Sequence, residues 1–236
     1  MIVRWNERSL ADVSARDDWL SPWERSHLST LRIPKRRTDW RLGRWTAKHA
    51  VIAYLGLPDT EQTLASICIQ PENSGAPEVF LAHVAAKISI SLSHSDGVAA
   101  CAVGPREARI GCDLERVEPR TDLFVADYFT PHEQALILRT PEANRCAWIT
   151  LIWSAKESAL KALRTGLRSD THCVSVTVHD DPGETKEEEL NASNHPPTLA
   201  EPMQSWRSLH VDLATGERLP GWWCCQGGFV RTLVCR

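Results

Sequence analysis

A chain of 236 residues, 42% hydrophobic and 24% charged, has apolar side chains enough for one large domain or two of about a hundred residues each. Its formal net charge of -3 excludes the strong basic excess of a phosphate-backbone binder, so any basic site is local. No run is apolar enough to span a bilayer, and no basic segment with an apolar run after it opens the sequence, so the expected location is the cytosol.

The eight cysteines form no C-x-x-C pair, and the adjacent Cys224 and Cys225 are unlike zinc-ligand motifs, so all are read as reduced thiols. The ten tryptophans scatter along the chain and are assigned no chemistry.

Residues 36–55 read as a helix: Leu42, Trp45, Ile52 and Leu55 recur near a 3.6-residue period, and Gly56 and Pro58 end the pattern. Arg37, Arg41, Arg44 and Lys48 stack on one stripe of it, which is either a solvated face or an anion site. Lys35 and Arg36 stand at its entrance, where free backbone N–H groups favour a phosphate.

Ile88 to Ser93 alternates apolar and polar as a half-buried strand does, and Asp96-Gly97 offers a turn into a strand from Val98 to Val103. His94, beside Ser93 and Ser95 at the strand end, is either structural or placed to touch a ligand. A strand over 109–117 puts Ile110, Cys112 and Leu114 on one face and Asp113 and Glu115 on the other.

A helix over 143–164 turns Trp148, Leu151, Ile152, Ala155, Ala159 and Leu163 to a core, is ended by Gly166, and carries Glu157 and Lys161 on another face. From 180 to 202 the composition becomes acidic and proline-containing, as in a flexible insertion. Trp206 to Leu213 and Gly228 to Val234 read as strands, with a turn at Thr215-Gly216. The two halves share a coarse order of helix followed by paired strands, without a repeat at the level of sequence identity.

Carboxylates at i and i+2 repel unless a cation sits between them, so Asp113 and Glu115 are either a Mg2+ site or an exposed acidic strand face. Glu157 and Lys161, four apart, are equally read as a helix-stabilising pair or as part of such a site.

Taken together, Gly111-x-Asp113-x-Glu115 and Trp153-x-x-Lys156-Glu157-Ser158-x-x-Lys161 resemble the paired hallmark motifs of the Sfp-type 4'-phosphopantetheinyl transferases. Ser93-His94-Ser95 is similar to that family's serine-histidine element. Phe129-Thr130-Pro131-His132-Glu133 is similar to its Phe-Ser/Thr-x-x-Glu segment, and Gly43-Arg44 to its helix of cationic phosphate ligands. The likeness runs over about residues 20–170, with a weaker echo in Gly221-Trp222-Trp223 and the last strand.

The resemblance implies an α+β fold: a pseudo-twofold pair of similar subdomains, 1–106 and 107–236, with coenzyme A in the cleft between them, working as a monomer. It implies transfer of phosphopantetheine from coenzyme A to a serine of an acyl or peptidyl carrier protein, with release of 3',5'-ADP. Asp113, Glu115 and Glu157 would hold Mg2+; Glu157 would be the base, with Glu133 assisting proton transfer, and Lys161 would meet the pyrophosphate. Lys35, Arg37, Arg41, Arg44, Ser93, His94 and Lys156 complete the expected coenzyme A contacts.

One departure is Gly75-Ala76-Pro77, where the family often has Gly-Lys-Pro, and Arg37 or Arg41 is the expected replacement for the missing cation. The competing readings are a Mg2+-dependent nucleotide phosphohydrolase and a non-catalytic module that binds carrier proteins.

Overall fold

The computed structural model describes residues 2–178 and 206–236, so the expected insertion at 180–202 lies outside the described residues. The chain divides into two compact units, Met1–Ile110 and Gly111–Arg236, and each mixes helix and sheet in the α+β manner.

The first unit contains β1 (Arg4–Ser9), α1 (Pro22–Thr30), α2 (Pro34–Leu55), α3 (Glu61–Ser66), β2 (Ile67–Pro71), β3 (Pro77–Leu81), β4 (Val84–Ala85), β5 (Ile88–Ser95) and β6 (Val98–Pro105). Pro34 supplies a preset φ at the first turn of α2, and Gly56, at φ 65°, takes the left-handed position that ends it. The helix lays Ala47, Ala50, Val51 and Ile52 into the core beneath the antiparallel set β1-β6-β5. Asp96 and Gly97, at φ 46° and 76°, make the tight turn from β5 to β6.

Two expectations are corrected in this unit. Ser89 and Ser91 are buried, so β5 is covered on both faces over this stretch and is not half-exposed. The basic stripe of α2 is not simply a solvated face: Arg37, Arg41 and Lys48 are bound within the unit, as described below, and Arg44 lies over the Trp40 ring.

The second unit contains β7 (Ile110–Arg116), α4 (Asp122–Tyr128), α5 (Pro131–Arg139), α6 (Glu142–Ala162), β8 (Val174–Val178), β9 (Arg207–Leu213), β10 (Arg218–Gln226) and β11 (Phe229–Cys235). The strands form one sheet in the order β7-β11-β10-β9-β8. Helix α6 is buried along most of its length, with Leu151, Ile152, Ala155 and Ala159 packed on Val176, Val211, Val230 and Val234. Its end differs from expectation: Arg164, at φ 59°, takes the left-handed position, and Thr165 N–H bonds back to Leu160 O, so Gly166 lies beyond the helix.

A repeat not read from the sequence links the chemistry of the two units. In the first, Ser21-Pro22-Trp23-Glu24 opens α1 as a capping box, and the buried Glu24 carboxylate lies 2.6 Å from Lys48 Nζ of α2 while accepting from Ile69 N–H of β2 at 3.2 Å. In the second, Thr130-Pro131-His132-Glu133 opens α5 in the same way, and Glu133 accepts from Lys156 Nζ at 2.7 and 3.0 Å and from Val176 N–H at 2.8 Å. The lysines stand in Trp45-Thr46-Ala47-Lys48 and Trp153-Ser154-Ala155-Lys156, so the motif is repeated in sequence as well. Carbonyls of Trp19 and Leu64 complete the donors of Lys48, and that of Val174 completes those of Lys156.

Candidate functional site

The site is built where β7 and α6 touch backbone to backbone. A Cβ on Gly111 would stand 1.7 Å from Ser158 O and 2.6 Å from Ala162 N, so only glycine allows this approach. Two and four residues on, Asp113 and Glu115 leave β7 on one face, and they meet Glu157 of the following helical turn. One ligand oxygen from each of the three carboxylates lies within 4.8 Å of the others.

Two cations border the cluster. Lys161 Nζ lies 2.7 Å from Asp113 Oδ1, 3.7 Å from Glu157 Oε2, and donates to Cys112 O at 3.0 Å. Arg120, which the sequence did not single out, approaches Glu115 at 3.5 Å and Glu118 at 3.1 Å, with its guanidinium over the Phe124 ring. A lone arginine in a loop carries no signal of such a placement.

The electrostatics leave the cluster short of positive charge. Burial, followed by the charges of Asp113 and Glu157, pushes the Glu115 carboxyl up to about 7. Burial and Asp113 push Glu157 up to about 7 as well. Burial opposes charge on Lys161, but Asp113 and Glu157 more than offset it and hold the ammonium protonated. Three carboxylates, all oxygen donors, with two carboxyls poised to lose protons near neutral pH, fit a hard divalent cation such as Mg2+.

Two expected site residues are placed elsewhere. Lys156 and Glu133 are wholly buried, and the three ammonium donors of Lys156 are satisfied by both Glu133 oxygens and Val174 O. This corrects Lys156 as a coenzyme A contact and Glu133 as a proton carrier: the pair locks α5 and α6 to β8. Trp153 of the same motif is packed edge-on against Phe124 and Tyr128, bracing α4.

The expected phosphate contacts are spread over the first unit. Arg37 donates to the carbonyls of Leu28 and Leu31 at the end of α1, and Arg41 donates to Ser14 O and lies 2.9 Å from Asp17. Both are thus tied to carbonyls within the unit, each through one terminal nitrogen of its guanidinium. Arg44 lies over the Trp40 ring and 3.8 Å from Glu24. Lys35 is exposed and pairs with Asp39 at 2.7 Å. His94 is exposed at the end of β5 opposite Ala99, with Ser93 half-buried beside it.

A family model described as the 4'-phosphopantetheinyl transferase superfamily matches residues 109–214, the span that carries β7 and α6. The chain is also similar to 4'-phosphopantetheinyl transferase HetI of Nostoc sp. (strain PCC 7120 / SAG 25.82 / UTEX 2576), with 28% identity over 163 residues. That alignment covers 68% of this chain and 65% of the relative, so slightly less than two thirds of the relative's length is spanned. With the motif residues of β7 and α6 brought together as described, both matches support the same family, the 4'-phosphopantetheinyl transferase superfamily, as the one this chain is similar to.

Proposed function

We propose that the protein moves the phosphopantetheine of coenzyme A onto a serine hydroxyl of an acyl or peptidyl carrier protein. The serine oxygen forms a bond to the phosphopantetheine phosphorus, the pyrophosphate P–O bond breaks, and 3',5'-ADP leaves. The observation that carries this reading is the convergence of Asp113, Glu115, Glu157 and Lys161 where β7 and α6 meet, in a chain similar to this superfamily.

Asp113, Glu115 and Glu157 would hold Mg2+, which when bound supplies Lewis-acid stabilisation of charge on the pyrophosphate oxygens. Glu157, directly or through a water, would take the proton of the carrier serine. Lys161, held by Asp113, keeps its charge and would meet the departing phosphate oxygens. His94, Ser93, Lys35 and Arg44 are the proposed contacts of the nucleotide phosphates.

The test is intact-protein mass spectrometry of apo-carrier proteins incubated with the chain and coenzyme A, with Mg2+ and with EDTA. Mg2+-dependent addition of the phosphopantetheine mass supports the proposal. Coenzyme A hydrolysis without any adduct would instead establish the phosphohydrolase reading.

A further inference from the structure

We infer that Thr232, on β11, is a positioning residue for the carboxylate cluster, acting through α6; the inference rests on the metal-site reading above. Ser154 and Ser158 are four apart and so lie on one stripe of α6. Their hydroxyls meet the single Oγ1 of Thr232 at 2.8 and 2.7 Å, and Ser158 Oγ also donates to Thr232 O at 3.3 Å. All three residues are wholly buried. One proton arrangement uses every donor: Ser154 donates to Thr232 Oγ1, Thr232 donates to Ser158 Oγ, and Ser158 donates to Thr232 O.

The consequence for the cluster is geometric. Much of the contact between α6 and the sheet is made of apolar side chains, which resist separation but bond in no preferred direction, and the long, flexible Lys156 and Lys161 add bonds to Val174 O of β8 and Cys112 O of β7. The hydroxyl chain is directional, and it pins α6 at Ser158, the residue after Glu157. Gly111 of β7 admits the helix at the same residue, since any Cβ there would strike Ser158 O.

Glu157 is therefore flanked by two anchors, Lys156 bonded to β8 and Ser158 bonded to β11, and stands where β7 touches the helix. A working site tolerates displacements of only about 0.5 Å or 10–20°. Loss of the Thr232 hydroxyl loosens the Ser158 anchor while leaving all three carboxylates present.

The test is a direct titration of the full-length protein with Mn2+, read by the electron paramagnetic resonance signal of the free ion, alongside thermal melts in EDTA. Thr232→Val, which keeps the shape and removes the hydroxyl, should weaken Mn2+ binding by roughly tenfold, the low end of what outer-shell partners contribute. Thr232→Ser should restore wild-type binding, and Ser154→Ala, which removes one of the two hydroxyl contacts, should weaken it in the same direction.

Folded Thr232→Val with wild-type Mn2+ affinity and only a lower melting temperature would overturn the inference and leave the metal reading standing. If Thr232→Val does not fold, wild-type affinity in Ser154→Ala overturns it instead. A wild-type protein that binds no Mn2+ removes the metal reading and this inference together.

Discussion

Gly111 of β7 lies under the Ser158 carbonyl of α6, so near that a single methyl group between them would be 1.7 Å from the oxygen. The obstruction is backbone, which cannot swing aside as a side-chain tip can. Gly111→Ala should therefore push α6 away, costing about 1–3 kcal/mol of stability. It should also lower turnover far more than that loss alone would, because Glu157 moves with the helix. Denaturant melts and carrier-modification rates on the same sample check this, and wild-type turnover would show that the β7–α6 spacing is not critical.

The raised carboxyls give the metal-free protein a definite pH signature. Glu115 and Glu157 stand near 7 in the folded chain against 4.5 for a free glutamate, so the fold binds more protons than the unfolded chain between those values. Their contribution to stability is complete below about pH 4.5 and is lost as pH rises through about 7. In EDTA the melting temperature should carry a downward component over that window. Mg2+ should reverse it, with the largest gain above pH 7, where the cluster is fully ionised. Equal melting temperatures with and without Mg2+ at pH 8 would contradict the cation site.

Stability and chemistry should separate between Lys156, probed through its α5 partner Glu133, and the adjacent Glu157 of α6. Glu133→Ala leaves the buried Lys156 ammonium without its counter-charge and should cost about 3–5 kcal/mol. Glu157→Gln keeps the shape, removes a charge from a crowded acidic cluster, and should abolish turnover without lowering the melting temperature in EDTA. A Glu157→Gln variant with near-normal turnover would exclude Glu157 as base and ligand alike.

The nucleotide contacts are tested by the donor. If His94 grips the 3'-phosphate, the wild type should prefer coenzyme A to 3'-dephospho-coenzyme A. His94→Ala should reduce that preference by roughly tenfold, the value of one charge-assisted hydrogen bond. The kinetics of both donors provide the measurement, and an unaltered preference would make His94 structural.

Helix α2, the β5–β6 turn, strand β7 and helix α6 were legible because their signals are local: a period, a cap, a turn dipeptide. The acidic cluster was legible because its residues sit at short, regular spacings within two such elements. Lys156 and Glu133 misled for the same reason, since each adjoins or belongs to a motif, yet the role of each depends on a partner 23 residues away and on β8, 43 residues beyond Glu133. The surroundings of Arg37 and Arg41 of α2 were not legible because a stripe of charge reads alike whether it faces water, phosphate or the carbonyls of Leu28, Leu31 and Ser14. Thr232 has no local signal, as its meaning comes from hydroxyls 74 and 78 positions earlier.

The twofold occurrence of Trp-Ser/Thr-Ala-Lys makes the unit that carries the acidic cluster comparable, position by position, with the other unit of the same chain. Where α6 continues from Lys156 into Glu157 and on to Lys161, α2 continues from Lys48 into His49 and on to Ala53. The lysine that ties helix to turn is kept in both, while the charges of the acidic site are present in one. The scaffold lysine and the residues of the acidic cluster thus occupy adjacent positions of one helix, so Glu157 and Lys161 can be replaced without touching Lys156. The first unit is in that sense a built-in comparison: a helix with the same lysine anchorage, the same tryptophan three residues before that lysine, and His49 and Ala53 where the second unit has Glu157 and Lys161.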